Sequence, residues 1–131
     1  MDQPTEELFS MLQELSPTRE TLQAHQPLIQ MNQENDHLIL LHEGSIRVGT
    51  RSGESIVQEA PNILGEISFV AGGLATASVE TASHSVVSRI PFEHLDLLKE
   101  DGSTFHRIFS GLTRLCIQRL SGAYHQQYFA L

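Results

Sequence analysis

Residues Ile63–Val79 read ILGEISFVAGGLATASV, and they carry the main question this chain poses. Small residues stand at both ends, a lone acid sits at Glu66, and Gly72-Gly73 marks a turn. Tiny side chains let a backbone approach a bound group closely, a composition suited to cradling an anion. Yet the stretch holds no Lys and no Arg. It reads as an anion pocket, as a pocket that has lost its counter-charge, or as a tight turn beside a solvated acid. Paired glycines alone favour the turn.

On either side the signals are short and turn-rich. Upstream, DHLILLHEG (36–44) and SIRVG (45–49) form two β runs hinged at Glu43-Gly44, and RSGES (51–55) is a hairpin turn. Ser55 to Gln58 resumes a strand, which Ala60-Pro61-Asn62 breaks. Downstream, ATASVETAS (75–83) and HSVVSRI (84–90) alternate small, polar and apolar residues over two more strands. Short strands at regular spacing over residues 20–90 predict a sandwich or barrel.

Helical spacing frames this region. In the N-terminal segment (1–19), Leu8, Leu12 and Leu15 share a face, and Glu6 and Glu7 sit in the first turn, where the helix dipole favours acids. At Pro91 the pattern turns helical again, with Phe92, Leu95 and Leu98 in a short helix over 91–101. Asp101-Gly102 breaks it. A long helix over 103–125 then carries Phe105, Ile108, Phe109, Leu112, Leu115, Cys116 and Leu120 in steps that make a continuous seam. No repeat or linker interrupts residues 1–131, so a single domain is expected.

Composition narrows the function classes. A chain of 131 residues buries about two-thirds of its unfolded surface and needs no staples. One cysteine excludes an internal disulfide framework and suits a reducing compartment. The N-terminus lacks the basic and apolar regions of a signal peptide, and no run approaches the roughly 18 apolar residues of a membrane helix. A cytoplasmic protein is expected. Sixteen acids against eight bases give a formal charge of −8, a field that repels nucleic acid and anionic lipid. Among the bases, only Arg107, Arg114 and Arg119 share a neighbourhood.

The order helix, β-roll, short helix, long helix, with these residues, resembles the cyclic-nucleotide-binding domain family, and within it the sensor half of bacterial cyclic-AMP receptor proteins. Leu38–Val48 (LILLHEGSIRV) is similar to that family's strand, glycine turn and strand. Gly65-Glu66-Ile67-Ser68-Phe69 is similar to the opening of its phosphate-binding cassette. Ala75-Thr76-Ala77-Ser78-Val79 falls where the family usually reads Arg-Ala-Ala-Thr-Val. The resemblance covers almost the whole chain. It implies a mainly β fold with flanking helices: a jelly-roll-like β-roll with an N-terminal helix and a long C-terminal dimerisation helix. The family's transcription factors continue into a helix-turn-helix, whereas this chain stops at Leu131, so no DNA-reading element is expected in it.

The resemblance also assigns roles in the cassette. A cyclic nucleotide presents a phosphate, which needs backbone N–H groups and a guanidinium, and a ribose hydroxyl, which suits a carboxylate acceptor. Gly65, Glu66, Ile67, Ser68, Ala75 and Thr76 are the implied ligand-binding residues, with Glu66 on the ribose. The family's arginine belongs at Ala75. Its loss costs about 2–5 kcal/mol of binding, unless Arg47, Arg51 or Arg89 swings in from a neighbouring strand. The cassette is therefore read as degenerate.

Other chemistry has little support. The seven histidines include no His-x-His and no HExxH, and His37 and His42 have opposite strand parity, so no metal is expected. Cys116 lies on the helical seam as a structural thiol, and no nucleophile elbow or P-loop occurs. The long-helix seam could simply pack on the β-roll, but Ile117, Tyr124 and the Tyr128-Phe129-Leu131 tail widen its apolar surface, which suggests a partner. Phe105, Ile108, Phe109, Leu112, Leu115, Cys116 and Leu120 are taken as a homodimer interface. The expectation is a non-enzymatic signalling adaptor without cofactor, acting through a protein partner and not through nucleic acid or membrane. The alternative is a true cyclic nucleotide receptor whose ligand repositions the long helix. A metal-dependent enzyme on a similar roll is the third class.

Overall fold

The computed structural model describes the backbone of residues 1–126 and the side chains of residues 1–120. Eight strands form two four-stranded antiparallel sheets. The strands are β1 (Glu20–Leu22), β2 (Pro27–Ile29), β3 (His37–Glu43), β4 (Ser45–Gly49), β5 (Ser55–Glu59), β6 (Asn62–Leu64), β7 (Ser78–Thr81) and β8 (Ser85–Pro91). The first sheet runs β1-β8-β3-β6 and the second β2-β7-β4-β5. Apart from the β4–β5 hairpin, which stays within the second sheet, consecutive strands alternate between sheets, which closes them into the expected mainly β roll with flanking helices.

β3 explains how the layers are held. Its LILL core is continuously apolar because the strand is buried on both faces. Ile39 and Leu41 face the roll interior with Ile46, Val48, Val79 and Val87. Leu38 and Leu40 face the helices, joining Leu8, Leu12, Ile90, Leu95, Ile108 and Leu112. The two clusters are the two sides of the first sheet.

The N-terminal helix α1 (Gln3–Leu15) begins where the Asp2 carboxylate accepts from the Thr5 amide at 2.9 Å. Asp2 also accepts from Gln118 at 3.1 Å and faces Arg114 at 3.4 Å, tying α1 to the long helix α4 (Gly102–Gln126). The two helices approach closely at Gly111. A side chain there would begin 3.0 Å from a Leu8 methyl, so the small residue sets the spacing.

The predicted short helix over 91–101 is in fact two pieces, α3 (Phe92–Leu97) and a single 3₁₀ turn at Leu98–Glu100. Pro91 does not start a helical turn. Its ψ of 140° is extended, and it still pairs with His37 as the last residue of β8. The three-residue strands β1, β2 and β6 have no pattern of their own in the sequence. Neighbouring strands impose them. No helix among the described residues is long and apolar enough to cross a membrane.

Candidate functional site

The cassette begins where β6 ends. Gly65 turns the chain at φ 88°, and a side chain there would begin 2.7 Å from the His37 carbonyl and 2.8 Å from the Asn35 side-chain nitrogen Nδ2. Only glycine meets both demands, left-handed backbone and close packing. The short helix α2 (Glu66–Ala71) follows directly and closes on Gly72, whose amide donates to the Ser68 carbonyl. Phe69 anchors α2 from behind, with ring centroids 5.1 Å from Phe92 and 6.1 Å from Phe109. α2 is therefore fastened to α3 and α4 through aromatic contacts.

A cavity opens between α2 and the second sheet, with about 540 Å³ of empty space once the open solvent at its mouth is included. Gly65, Glu66, Ile67, Ser68, Ala75 and Thr76 all line it, so the structure brings the six expected ligand residues together. Ile29, Val48, Leu64, Ala77 and Val79 supply an apolar wall. Ala75 is held against it by two backbone bonds of 2.9 Å, from its amide to Gln33 and from the Asn32 amide to its carbonyl.

The electrostatic centre departs from the expectation. None of the three arginines proposed to compensate for Ala75 lines this cavity. Arg89 pairs with Glu20 at 3.1 Å. Arg51 reaches Asn32 at 3.4 Å. Arg47 lines a separate groove with Glu80. The base that does reach the site is Arg119, from the far end of α4. Its Nη1 stands 2.7 Å from Glu66 Oε1, and the Glu66 side chain is only 5% exposed.

Arg119 also donates to the Ile63 carbonyl at 2.7 Å and to Asn62 Oδ1 at 2.6 Å. Asn62 in turn donates to Gln58 Oε1 at 3.1 Å. The guanidinium thus closes a network over β5, β6 and α2. Sequence reasoning missed Arg119 because it lies 53 positions beyond Glu66 and outside the cassette. Its one signal was its place beside the apolar seam, in the neighbourhood it shares with Arg107 and Arg114, from which a helix can turn a side chain back onto the roll.

Cys116 sits one turn before Arg119 and is buried. Burial first, and the Glu66 carboxylate second, push its thiol up to about 11, so it stays protonated at neutral pH. Among the described residues, no three of His, Cys, Asp and Glu gather as a metal site.

The expected dimer face needs correction. Ile108, Leu112, Leu115 and Cys116 are buried within the chain itself. Ile108, Leu112 and Leu115 pack against α1 and the first sheet, which uses the face of the helix the seam provides. Phe105 and Leu120 are partly covered. The outward side of α4 carries Phe109 and Ile117, the latter 59% exposed. The Tyr124 side chain and the Tyr128-Phe129-Leu131 tail lie outside the described residues.

A profile of the cyclic nucleotide-binding domain matches residues 19–101, well over half the chain. No curated protein matches the sequence. Among solved structures, the chain is similar to the Thermus thermophilus catabolite activator protein, with a TM-score of 0.68 and 16% identity over 97% of this chain and 58% of that one. It is similar to the c-di-GMP-responsive global regulator CLP of Xanthomonas campestris, with a TM-score of 0.72 and 13% identity over 93% and 62%. It is also similar to the regulatory subunit of a cAMP-independent protein kinase A from Trypanosoma brucei, with a TM-score of 0.69 and 18% identity over 84% and 39%. At these identities the likeness is one of fold, and the chain spans less than two thirds of the length of each. The profile match, the two-sheet roll and the Gly65-Glu66 cassette agree: this chain belongs to the cyclic nucleotide-binding domain family.

Proposed function

We propose that the chain is a non-enzymatic regulatory domain that works without a tightly held ordinary cyclic nucleotide and signals through a protein partner. One observation carries this reading. The one guanidinium on the described lining is already committed to Glu66 at 2.7 Å, while the position at which the resemblance implies a phosphate-binding arginine is a buried alanine. A nucleotide phosphate entering the cavity meets no uncommitted cation on the described lining. Burying it unpaired is costly. The outward side of α4, with Phe109 and Ile117, is the surface proposed to meet a second copy or another protein, in the cytoplasm.

The second reading, a cyclic nucleotide receptor, draws on the same arginine. Arg119 lines the cavity and sits on α4, so a ligand phosphate that drew it away from Glu66 would move the helix. Ligand can do so only if it binds the moved arrangement better.

Calorimetric titration with cyclic AMP, cyclic GMP and a cyclic dinucleotide separates the two. Silence from the native protein with binding by Ala75→Arg supports the regulatory domain with a degenerate cassette. Micromolar binding by the native protein, abolished by Arg119→Ala, would hand the case to the receptor. Sedimentation of native protein beside Ile117→Asp tests the outward face.

A further inference from the structure

We propose that the cassette cavity takes a neutral, mostly apolar small molecule carrying a hydroxyl group. This rests on the reading that the cassette does not hold an ordinary cyclic nucleotide tightly, and it names what the site selects instead. Ile29, Val48, Leu64 and Val79 form an apolar wall, and the polar part of the lining is Gln58, Ser68, Thr76 and the charged pair Glu66 and Arg119. Such a division, a hydrophobic body with a few convergent polar groups, is the usual build of a small-molecule site.

The charge state of that polar part decides the ligand class. Arg119 is the only base on the described lining, and its charge is committed to Glu66, with the Ile63 carbonyl and Asn62 accepting from it as well. The ion pair makes the polar part neutral. An anion that captured Arg119 would leave a buried carboxylate without its partner, trading one unpaired charge for another. The chain's formal charge of −8 adds a field that opposes anions at long range.

A hydroxyl meets neither obstacle. A carboxylate has two oxygens and room for about four donors, so Glu66 accepts from a ligand hydroxyl while it keeps Arg119. The ligand's apolar body then covers the wall between the second sheet and α2. No charge is stripped of its partner.

The test uses two probes of one shape, 2-naphthalenemethanol and 2-naphthoate, titrated at neutral pH into the native protein and Ala75→Arg. Amide chemical shifts report the site, and cyclic AMP calorimetry runs alongside. The alcohol should move the Glu66, Thr76 and Val79 amides and bind about tenfold tighter than the carboxylate, the charge penalty setting the ratio. Ala75→Arg should erase or reverse that order. Should Ala75→Arg fail to fold, Thr76→Arg at the half-covered neighbour delivers the same charge. Carboxylate binding as tight as the alcohol in the native protein would overturn the inference. Silence from both probes and from cyclic AMP would overturn it alone and leave the degenerate cassette standing. Tight cyclic AMP binding with no response to the alcohol would overturn both.

Discussion

The two sheets of the roll are built from similar strands and live in different surroundings. The first is covered on both faces, by the roll interior on one side and by α1, α3 and α4 on the other. Among the described residues, the second is covered on one face only. Its strand β5 alternates exposed and half-covered residues, and Val57 on its outer side is 52% exposed. The first sheet is therefore the foundation on which the helices rest. The second is a wall with one free side, and the cassette cavity lies between that wall and α2. The contrast teaches that the site's shape belongs to the second sheet, while its electrostatics arrive from a helix mounted on the first.

The sharpest way to break this contrast is to hollow the doubly covered sheet. Leu40→Ala removes a fully buried side chain facing the helices, and should lower stability by about 2–5 kcal/mol in denaturant titration. A loss under about 1 kcal/mol would mean that the helices rest on this sheet far more loosely than the packing implies.

Next comes the link between the two halves. Arg119→Ala leaves Glu66 buried without its partner and should cost about 2–4 kcal/mol, toward the lower part of the buried-pair range because the Arg119 side chain is a fifth exposed. The double variant Arg119→Ala with Glu66→Gln, set against Arg119→Ala and Glu66→Gln alone, should recover part of the loss. Additive losses in that cycle would show that the pair does not act as a unit.

A smaller effect tests the helix-facing side by pH. His42 packs edge-on to Phe9 at 5.5 Å and its Nε2 lies 2.8 Å from the Ser88 hydroxyl. Burial, and then the nearby Arg19, hold its pKa below the ordinary 6.5, against a weaker pull from Glu43. The unfolded chain then binds the proton more readily. His42's contribution is whole above pH 6.5 and falls as the pH drops toward its depressed native value. The thermal midpoint should decline across that window, and His42→Gln should flatten the decline. An unchanged slope would assign it to other groups.

The smallest effect completes the comparison. Val57→Thr on the free face of the second sheet should change stability by less than about 0.5 kcal/mol. A loss comparable to that of Leu40→Ala would reveal that this face is covered in solution.

Much of the fold was legible because its signals are local. The glycine hinge at 44, the hairpin at 51–55 and the helical seam from Phe105 to Leu120 all sit within a few residues of the structure they specify. The seam's destination was less legible. Periodicity identifies an apolar face but not what covers it, and Ile108, Leu112 and Leu115 cover the chain's own core rather than a second copy. The six cassette residues were named because the stretch from Gly65 to Val79 resembles the family's cassette, which is contiguous in sequence. The sequence by itself determined the two-sheet class, the helical frame and the Gly65-Glu66 cradle, since period, glycine and small side chains act over short range. Only the tertiary structure decided which base serves the cradle. An ion pair requires a few ångströms in space and nothing in sequence, so Arg119 could be matched to Glu66 only after α4 had folded back across the roll.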